Sequence, residues 1–172
     1  MKQGYVQVYT GDGKGKTTAA LGLALRAVGA GLKVYIGQFI KKGCFSEIRT
    51  LKRRFPDITL RQYGRGCFIR GKPGPEDIRC ARRGLADLRR AVTGSRYDVV
   101  IADEANCAVT CGVLTIEDLL KLIDAKPTGV ELVFTGGNAH PRLIRRADLV
   151  TRMQAVKHYF QRQVPARKGI EW

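Results

Sequence analysis

Short apolar runs alternate with stretches of helical period along the whole chain. Tyr5–Tyr9 places apolar and polar residues in strict alternation, the pattern of a half-buried strand. Comparable runs at Val34–Phe39, Thr59–Tyr63, Asp98–Ala102, Glu131–Phe134 and Asp148–Val150 predict further strands. Between them, Lys16–Ala30, Ser46–Arg54, Pro75–Thr93, Ile116–Ile123 and Arg142–Arg146 predict helices. In the Pro75 helix, Ile78, Ala81, Leu85, Leu88 and Val92 recur at helical spacing and define a packing face. Its start is well specified, because proline suits the first turn and Glu76 and Asp77 favour the positive helix end. Thr115, followed three residues later by Asp118, reads as an N-cap. Strands separated by helices require parallel crossovers, so the expected fold is α/β with a mostly parallel, doubly wound sheet. Ligands on such sheets bind beyond the carboxyl ends of the strands. With no repeats and no low-complexity segment, residues 1–172 read as a single domain.

Composition narrows the class. At 44% hydrophobic and 8% aromatic residues, the chain can bury a real core. No run is long and apolar enough to cross a bilayer, and the first strand begins almost at once, leaving no room for a signal peptide. Cys44, Cys67, Cys80, Cys107 and Cys111 are odd in number and lack paired spacing. That argues against a disulfide framework and for a reducing cytoplasm. Cys107 and Cys111 can share a helix face, where two small buried side chains are the simpler reading than a metal or redox pair. The 31 lysines and arginines against 15 acidic residues give a net charge of +16. Such a surface attracts polyanions, from nucleic acid to acidic proteins and phosphorylated small molecules. The basic residues are spread along the chain, so charge alone does not select among these.

The residues from Thr10 to Thr18, Thr-Gly-Asp-Gly-Lys-Gly-Lys-Thr-Thr, narrow the function most. They stand between a strand and a helix, the order of a phosphate-binding P-loop. Gly11, Gly13 and Gly15 let backbone N–H groups turn toward a phosphate, and the helix start adds partial positive charge. Thr10, Asp12, Lys14 and Thr18 complete the nucleotide-binding stretch. Lys16 meets the outer phosphates as the principal catalytic cation, and the Thr17 hydroxyl is a Mg²⁺ ligand. The usual pattern places a glycine where Thr10 stands. A second signal is the apolar strand that ends in Asp103-Glu104, as in the Walker B element that supports Mg²⁺ beside a P-loop. Asp103 and Glu104 are the expected metal-side acids. Gln38 and Lys41, just after the second strand, fall at the same sheet edge and are candidates for phosphate or substrate contact.

Taken in order, Thr10–Ala20, Gln38–Lys41, Asp103–Asn106, Ala147–Thr151, Lys157-His158 and Ala166–Glu171 resemble the P-loop type of ATP:corrinoid adenosyltransferase. The matches span nearly the whole chain. This resemblance implies a RecA-like fold, a homodimer and residues 153–172 as a substrate-side segment. It also implies transfer of the 5′-deoxyadenosyl group of ATP to a reduced Co(I) corrinoid, with release of triphosphate and with ATP reversed on the P-loop relative to kinases. A +16 surface suits an acidic electron-transfer protein as the reductant. Three departures stand out. Gly64–Ile69 replaces the family's Gly-Phe-Thr-Trp and retains one aromatic, Phe68, as the candidate for the lower corrinoid face. Thr135-Gly136-Gly137 replaces Thr-Gly-Arg, and Arg152 stands where an acid is common.

The chemistry fits those residues. Co(I) is itself a strong nucleophile, so no serine or cysteine nucleophile is required. Charge developing on the triphosphate leaving group calls for Lys16, backbone N–H groups and Mg²⁺. His158 is then a structural or substrate-edge residue rather than a base. Two alternatives use the same motifs. A RecA-like ATPase acting on single-stranded nucleic acid shares the P-loop and acid pair, but its aromatics should be interleaved with basic residues along a groove. A nucleotide-binding regulatory module would hold ATP without turnover.

Overall fold

The computed structural model describes residues 2–43, 45–66 and 71–171. Strands β1 (Val6–Thr10), β2 (Val34–Ile40), β3 (Ile58–Gly64), β4 (Val99–Asp103), β5 (Glu131–Thr135) and β6 (Leu149–Arg152) form one parallel sheet in the order β3-β2-β4-β5-β1-β6. Helices α1 (Lys16–Gly29) and α2 (Ser46–Arg54) cover one face. The other carries α3 (Pro75–Thr93), α4 (Ala105–Thr110), α5 (Ile116–Asp124) and α6 (Pro141–Arg146). The two-residue period of the strands divides the core: Val34 and Ile36 pack toward α1 and α2, while Tyr35 and Phe39 pack toward α3. This is the expected doubly wound arrangement.

Local chemistry explains the close packing. Ala20, Ala24 and Ala27 are buried on α1, so small side chains let this helix lie low on the sheet. On α3, a Cβ at Gly84 would sit 2.7 Å from the Tyr63 ring and 2.8 Å from Phe39. Glycine permits that approach. The buried face of α3 is rotated from the expected one: Ile78 is 39% exposed, whereas the charged Asp87 is buried. Asp87 accepts hydrogen bonds from the Tyr63 hydroxyl at 2.6 Å and Arg61 at 3.2 Å, and it also pairs with Arg90. Burial opposes its ionisation, yet these donors hold its carboxyl below the usual range. The Thr115 cap forms as read: its hydroxyl accepts the Asp118 N–H at 3.2 Å, and the Asp118 carboxylate accepts the Thr115 N–H at 2.8 Å.

After β6 the chain turns back across the loop that follows β1. The Gly13 N–H donates to the Met153 carbonyl at 2.8 Å, and the Met153 N–H donates to Thr10 at 2.8 Å. Gly11 has φ +104°, and a Cβ there would lie 2.3 Å from the Met153 carbonyl oxygen. Both facts require glycine. The described residues that remain include a 3₁₀ turn at Tyr159–Arg162. No helix of the described residues is long and apolar enough to cross a membrane.

Candidate functional site

At the carboxyl ends of β1, β2 and β4 the loop from Gly11 to Gly15 leads into α1, and Gly15 caps the helix with φ +117°. The Lys16 ammonium lies against its own loop, donating to the Gly13 carbonyl at 2.6 Å. That contact holds the cation at the loop mouth, and among the described residues it makes no ion pair with a carboxylate. Lys14 reaches away to the Ile170 carbonyl at 2.9 Å, tying the loop to the C-terminal segment. The Asp12 carboxylate accepts the Ala155 N–H at 3.4 Å. Thr10 is buried in β1, where its hydroxyl accepts the Ala139 N–H at 3.0 Å, so it braces the loop after β5.

Strand register builds a polar row beneath the loop. Gln38 on β2 is level with Gln62 on β3 and Asp103 on β4. Gln62 donates to the Gln38 side-chain oxygen at 2.8 Å, and Gln38 donates to Asp103 Oδ2 at 2.8 Å. Asp103 Oδ1 accepts the hydroxyls of Thr17 at 2.9 Å and Thr135 at 2.6 Å. Asp103 is only 1% exposed, and its two oxygens are filled by these donors. It therefore fixes Thr17 rather than facing the open cavity.

Glu104 and Lys41 form the other half. Glu104 is the N-cap of α4 with φ +59°, and its N–H donates to the Thr135 hydroxyl at 3.0 Å. The Lys41 ammonium lies 2.8 Å from Glu104 Oε1, 3.7 Å from Asp103 Oδ2 and 3.2 Å from the Thr17 hydroxyl. It is directed there by a tight turn, in which the Lys41 N–H donates to the Phe39 carbonyl at 2.5 Å around Ile40 with φ +62°. A positive φ is unfavourable for a β-branched residue, and such strain persists only where the surroundings enforce it. Burial acts against both charges. Lys41 is nonetheless held above the usual lysine range by Asp103 and Glu104, and Glu104 below the usual carboxylate range by Lys41 and neighbouring donors. The Cys107 thiol, pushed up to about 12 by burial and by Glu104, is inert at neutral pH. Cys80, Cys107 and Cys111 are free thiols, and the described residues contain no cluster of three or more His, Cys, Asp or Glu side chains fit for a metal.

These groups open into a cavity of about 940 Å³. The loop residues Asp12–Thr18, Lys41 and Glu104 form its polar floor. Leu21, Leu25, Leu51 and Phe55 supply part of its apolar lining, and Tyr159, Phe160, Val164 and Ile170 of the C-terminal segment supply the rest of the large apolar groups. His158 also lines it, but its ring Nδ1 accepts the Phe160 N–H at 3.1 Å, a structural bond. Phe160, which lines the cavity, is 84% exposed and leaves an apolar edge at its opening. Thus Gly11–Thr18, Lys41, Asp103, Glu104 and the C-terminal segment are brought together, with Gln38 one layer beneath. Phe68 lies outside the described residues. Gln62 and Met153 are site-building residues that the motifs did not single out, and Thr135, noted only as the start of Thr135-Gly136-Gly137, is a third.

Residues 2–172 match the family model described as ATP:corrinoid adenosyltransferase BtuR/CobO/CobP. Among named relatives, a corrinoid adenosyltransferase of Pseudomonas aeruginosa is 34% identical over 99% of this chain and 85% of its own length. One from Escherichia coli K12 is 32% identical over 99% of this chain and 87% of its own. The corrinoid adenosyltransferase CobA of Salmonella typhimurium is 30% identical with the same coverage, 99% and 87%. Among solved structures, the RadB recombinase superposes with a TM-score of 0.56 at 18% identity, covering 91% of this chain and 77% of that one. That likeness establishes the RecA-like P-loop fold.

Proposed function

We propose that this chain, which belongs to the BtuR/CobO/CobP family of ATP:corrinoid adenosyltransferases, moves the 5′-deoxyadenosyl group of ATP onto a reduced corrinoid. It is a transferase with ATP and a corrinoid as its substrates. The observation that carries the reading is one cavity with two unlike surfaces: a cationic P-loop floor and apolar walls contributed partly by Tyr159–Ile170. The floor suits a triphosphate. The walls suit the adenosyl group and the exposed edge beside Phe160 suits the corrin face. Residues 1–172 act as a single nucleotide-binding domain, with 153–172 as the substrate-side segment.

The reaction follows from that division. The electron pair of Co(I) attacks C5′, the C5′–O bond breaks, and the triphosphate departs with the bonding pair as cobalt becomes formally Co(III). Lys16 and the loop N–H groups stabilise the charge that appears on the leaving group. The apolar walls hold C5′ in line with the cobalt and limit water there. Thr17 and Glu104 fit a Mg²⁺ ion, since a hydroxyl and a carboxylate converge there and Asp103 orients the hydroxyl. Such an ion supplies additional positive charge to the triphosphate. Gln38 acts through Asp103, and Lys41 contacts the phosphates once nucleotide is bound.

The expected nucleotide product is inorganic triphosphate, in a one-to-one ratio with the Co–C bond formed. Ion-exchange chromatography of a reaction with MgATP and chemically reduced corrinoid measures it. Stoichiometric ADP, especially if stimulated by single-stranded DNA, would favour the nucleic-acid ATPase instead. We assign the reduction of cobalt to an acidic electron-transfer protein drawn to the +16 surface, in a cytoplasmic homodimer acting in adenosylcobalamin formation or salvage. Phe68 is assigned to the lower corrin face, where an apolar side chain favours loss of the fifth cobalt ligand before reduction. Phe68→Ala should then slow turnover from Co(II) several-fold more than turnover from pre-reduced Co(I). Equal losses with a lowered melting temperature would return Phe68 to a packing role.

A further inference from the structure

We propose that Lys41 is a built-in stand-in for the divalent cation: in the nucleotide-free protein its ammonium occupies the metal position, and it leaves when the metal arrives with ATP. This rests on the magnesium site proposed above and adds a second state to it. Two oxygens define the position. Glu104 Oε1 lies at 2.8 Å from the ammonium and the Thr17 hydroxyl at 3.2 Å, with Asp103 Oδ2, already bonded to Gln38, behind them at 3.7 Å. Glu104 and Thr17 are the carboxylate and hydroxyl that a hard divalent ion would recruit. An ammonium and a partly hydrated Mg²⁺ cannot share that space.

The arrangement has a physical purpose. Two adjacent carboxylates, one buried and one partly buried, are costly to hold without a nearby cation. Lys41 supplies that charge from within the chain, so the two acids do not depend on a bound metal for their place in the fold. Its reach is enforced from both ends by uncommon backbone geometry: Ile40 at φ +62° aims the lysine, and Glu104 at φ +59° aims the acid. Lys16 and Lys14 have different resting partners, the carbonyls of Gly13 and Ile170. Only Lys41, among these three lysines, is paired with the carboxylates. A free divalent ion must displace it unaided. A metal that brings a triphosphate offers the freed ammonium a new anionic partner, so loading of metal and nucleotide becomes coupled.

The test is Mn²⁺ binding to the full chain without nucleotide or corrinoid, followed by the loss of the free-ion electron paramagnetic resonance signal. Lys41→Met should bind Mn²⁺ at least about tenfold more tightly than the wild-type protein. Lys41→Arg keeps the cation and should stay within about twofold of wild type, as should Lys14→Met, which removes a lysine paired elsewhere. Adding Glu104→Gln to Lys41→Met should abolish the gain. Should Lys41→Met melt at a lower temperature, Mn²⁺ alone should restore it in that variant and not in the wild type. An affinity for Lys41→Met within twofold of wild type overturns the proposal, as does a gain that survives Glu104→Gln or is reproduced by Lys14→Met. Failure of the adenosyltransferase reading would appear separately, as absence of triphosphate product, and would leave the nucleotide-free Mn²⁺ comparison intact.

Discussion

Lys16→Ala will lower adenosyl transfer by about 100-fold or more and weaken ATP binding, while leaving the melting temperature nearly unchanged. Among the described residues, the Lys16 ammonium donates to the carbonyl of Gly13 in its own loop and makes no ion pair, acting on Glu104 only through its longer-range field. Its removal breaks no ion pair, and Glu104 keeps Lys41 at 2.8 Å. What is lost is a preorganised cation facing the position where triphosphate charge develops. A contact of this kind contributes on the order of 3 kcal/mol to the transition state, and about 1.4 kcal/mol corresponds to a tenfold change in rate. Rates from pre-reduced Co(I) corrinoid, with calorimetric ATP titrations, measure both effects. Activity within threefold of wild type would remove the loop from the chemistry.

The contrast with Lys41 shows why the motif alone did not describe the site. The P-loop and the Asp103-Glu104 pair are legible in sequence because each is a local signal: a glycine pattern between strand and helix, and an apolar strand ending in acids. The strand ladder was legible for the same reason, and the observed strands differ from the expected ones by a residue or so at their ends. Helix α4 was absent from the expected helices, and only the spacing of Cys107 and Cys111 hinted at it. It spans six residues, and Ala105, Asn106 and Ala108 are all buried, so it has no polar face to mark a helical period. Ile78 and Asp87 were misleading for the opposite reason. The Tyr63, Arg61 and Arg90 donors make a buried position acceptable for Asp87.

Long-range register hid the rest. Thr135 is 32 residues from Asp103, and Gln62 is 24 from Gln38, yet hydrogen bonds join both pairs. Nothing local marks Gln62, and Thr135 stands out only as the start of Thr135-Gly136-Gly137, with no sign of its partner. Each matters only once the order of strands is known. The same holds for Met153, whose backbone receives the Gly13 N–H and explains why the loop needs glycine at positions beyond those facing phosphate. The Lys157–Glu171 region was visible through family resemblance, whereas its role as a cavity wall required the fold.

Asp103→Ala will both abolish adenosyl transfer and destabilise the protein by about 3–5 kcal/mol, because it removes the shared acceptor of a buried network. The Thr17 and Thr135 hydroxyls and the Gln38 amide all donate to this one carboxylate. The informative comparison is Asp103→Asn, which preserves shape. Its amide oxygen can still accept both hydroxyls, but its N–H₂ then faces the Gln38 N–H₂. Turning Gln38 over relieves that clash only by moving its N–H₂ against Gln62, which now donates to the Gln38 oxygen. The conflict thus passes along the row, and Asp103→Asn should cost about 1–3 kcal/mol. Gln38→Glu in the same protein supplies an acceptor to both neighbours and keeps the local charge. Asp103→Asn/Gln38→Glu should therefore recover more than half of the stability lost in Asp103→Asn, a coupling that urea titrations of the two single variants and the double variant resolve. A double variant no more stable than Asp103→Asn would show that the row from Gln62 to Thr17 does not act as one hydrogen-bonded unit.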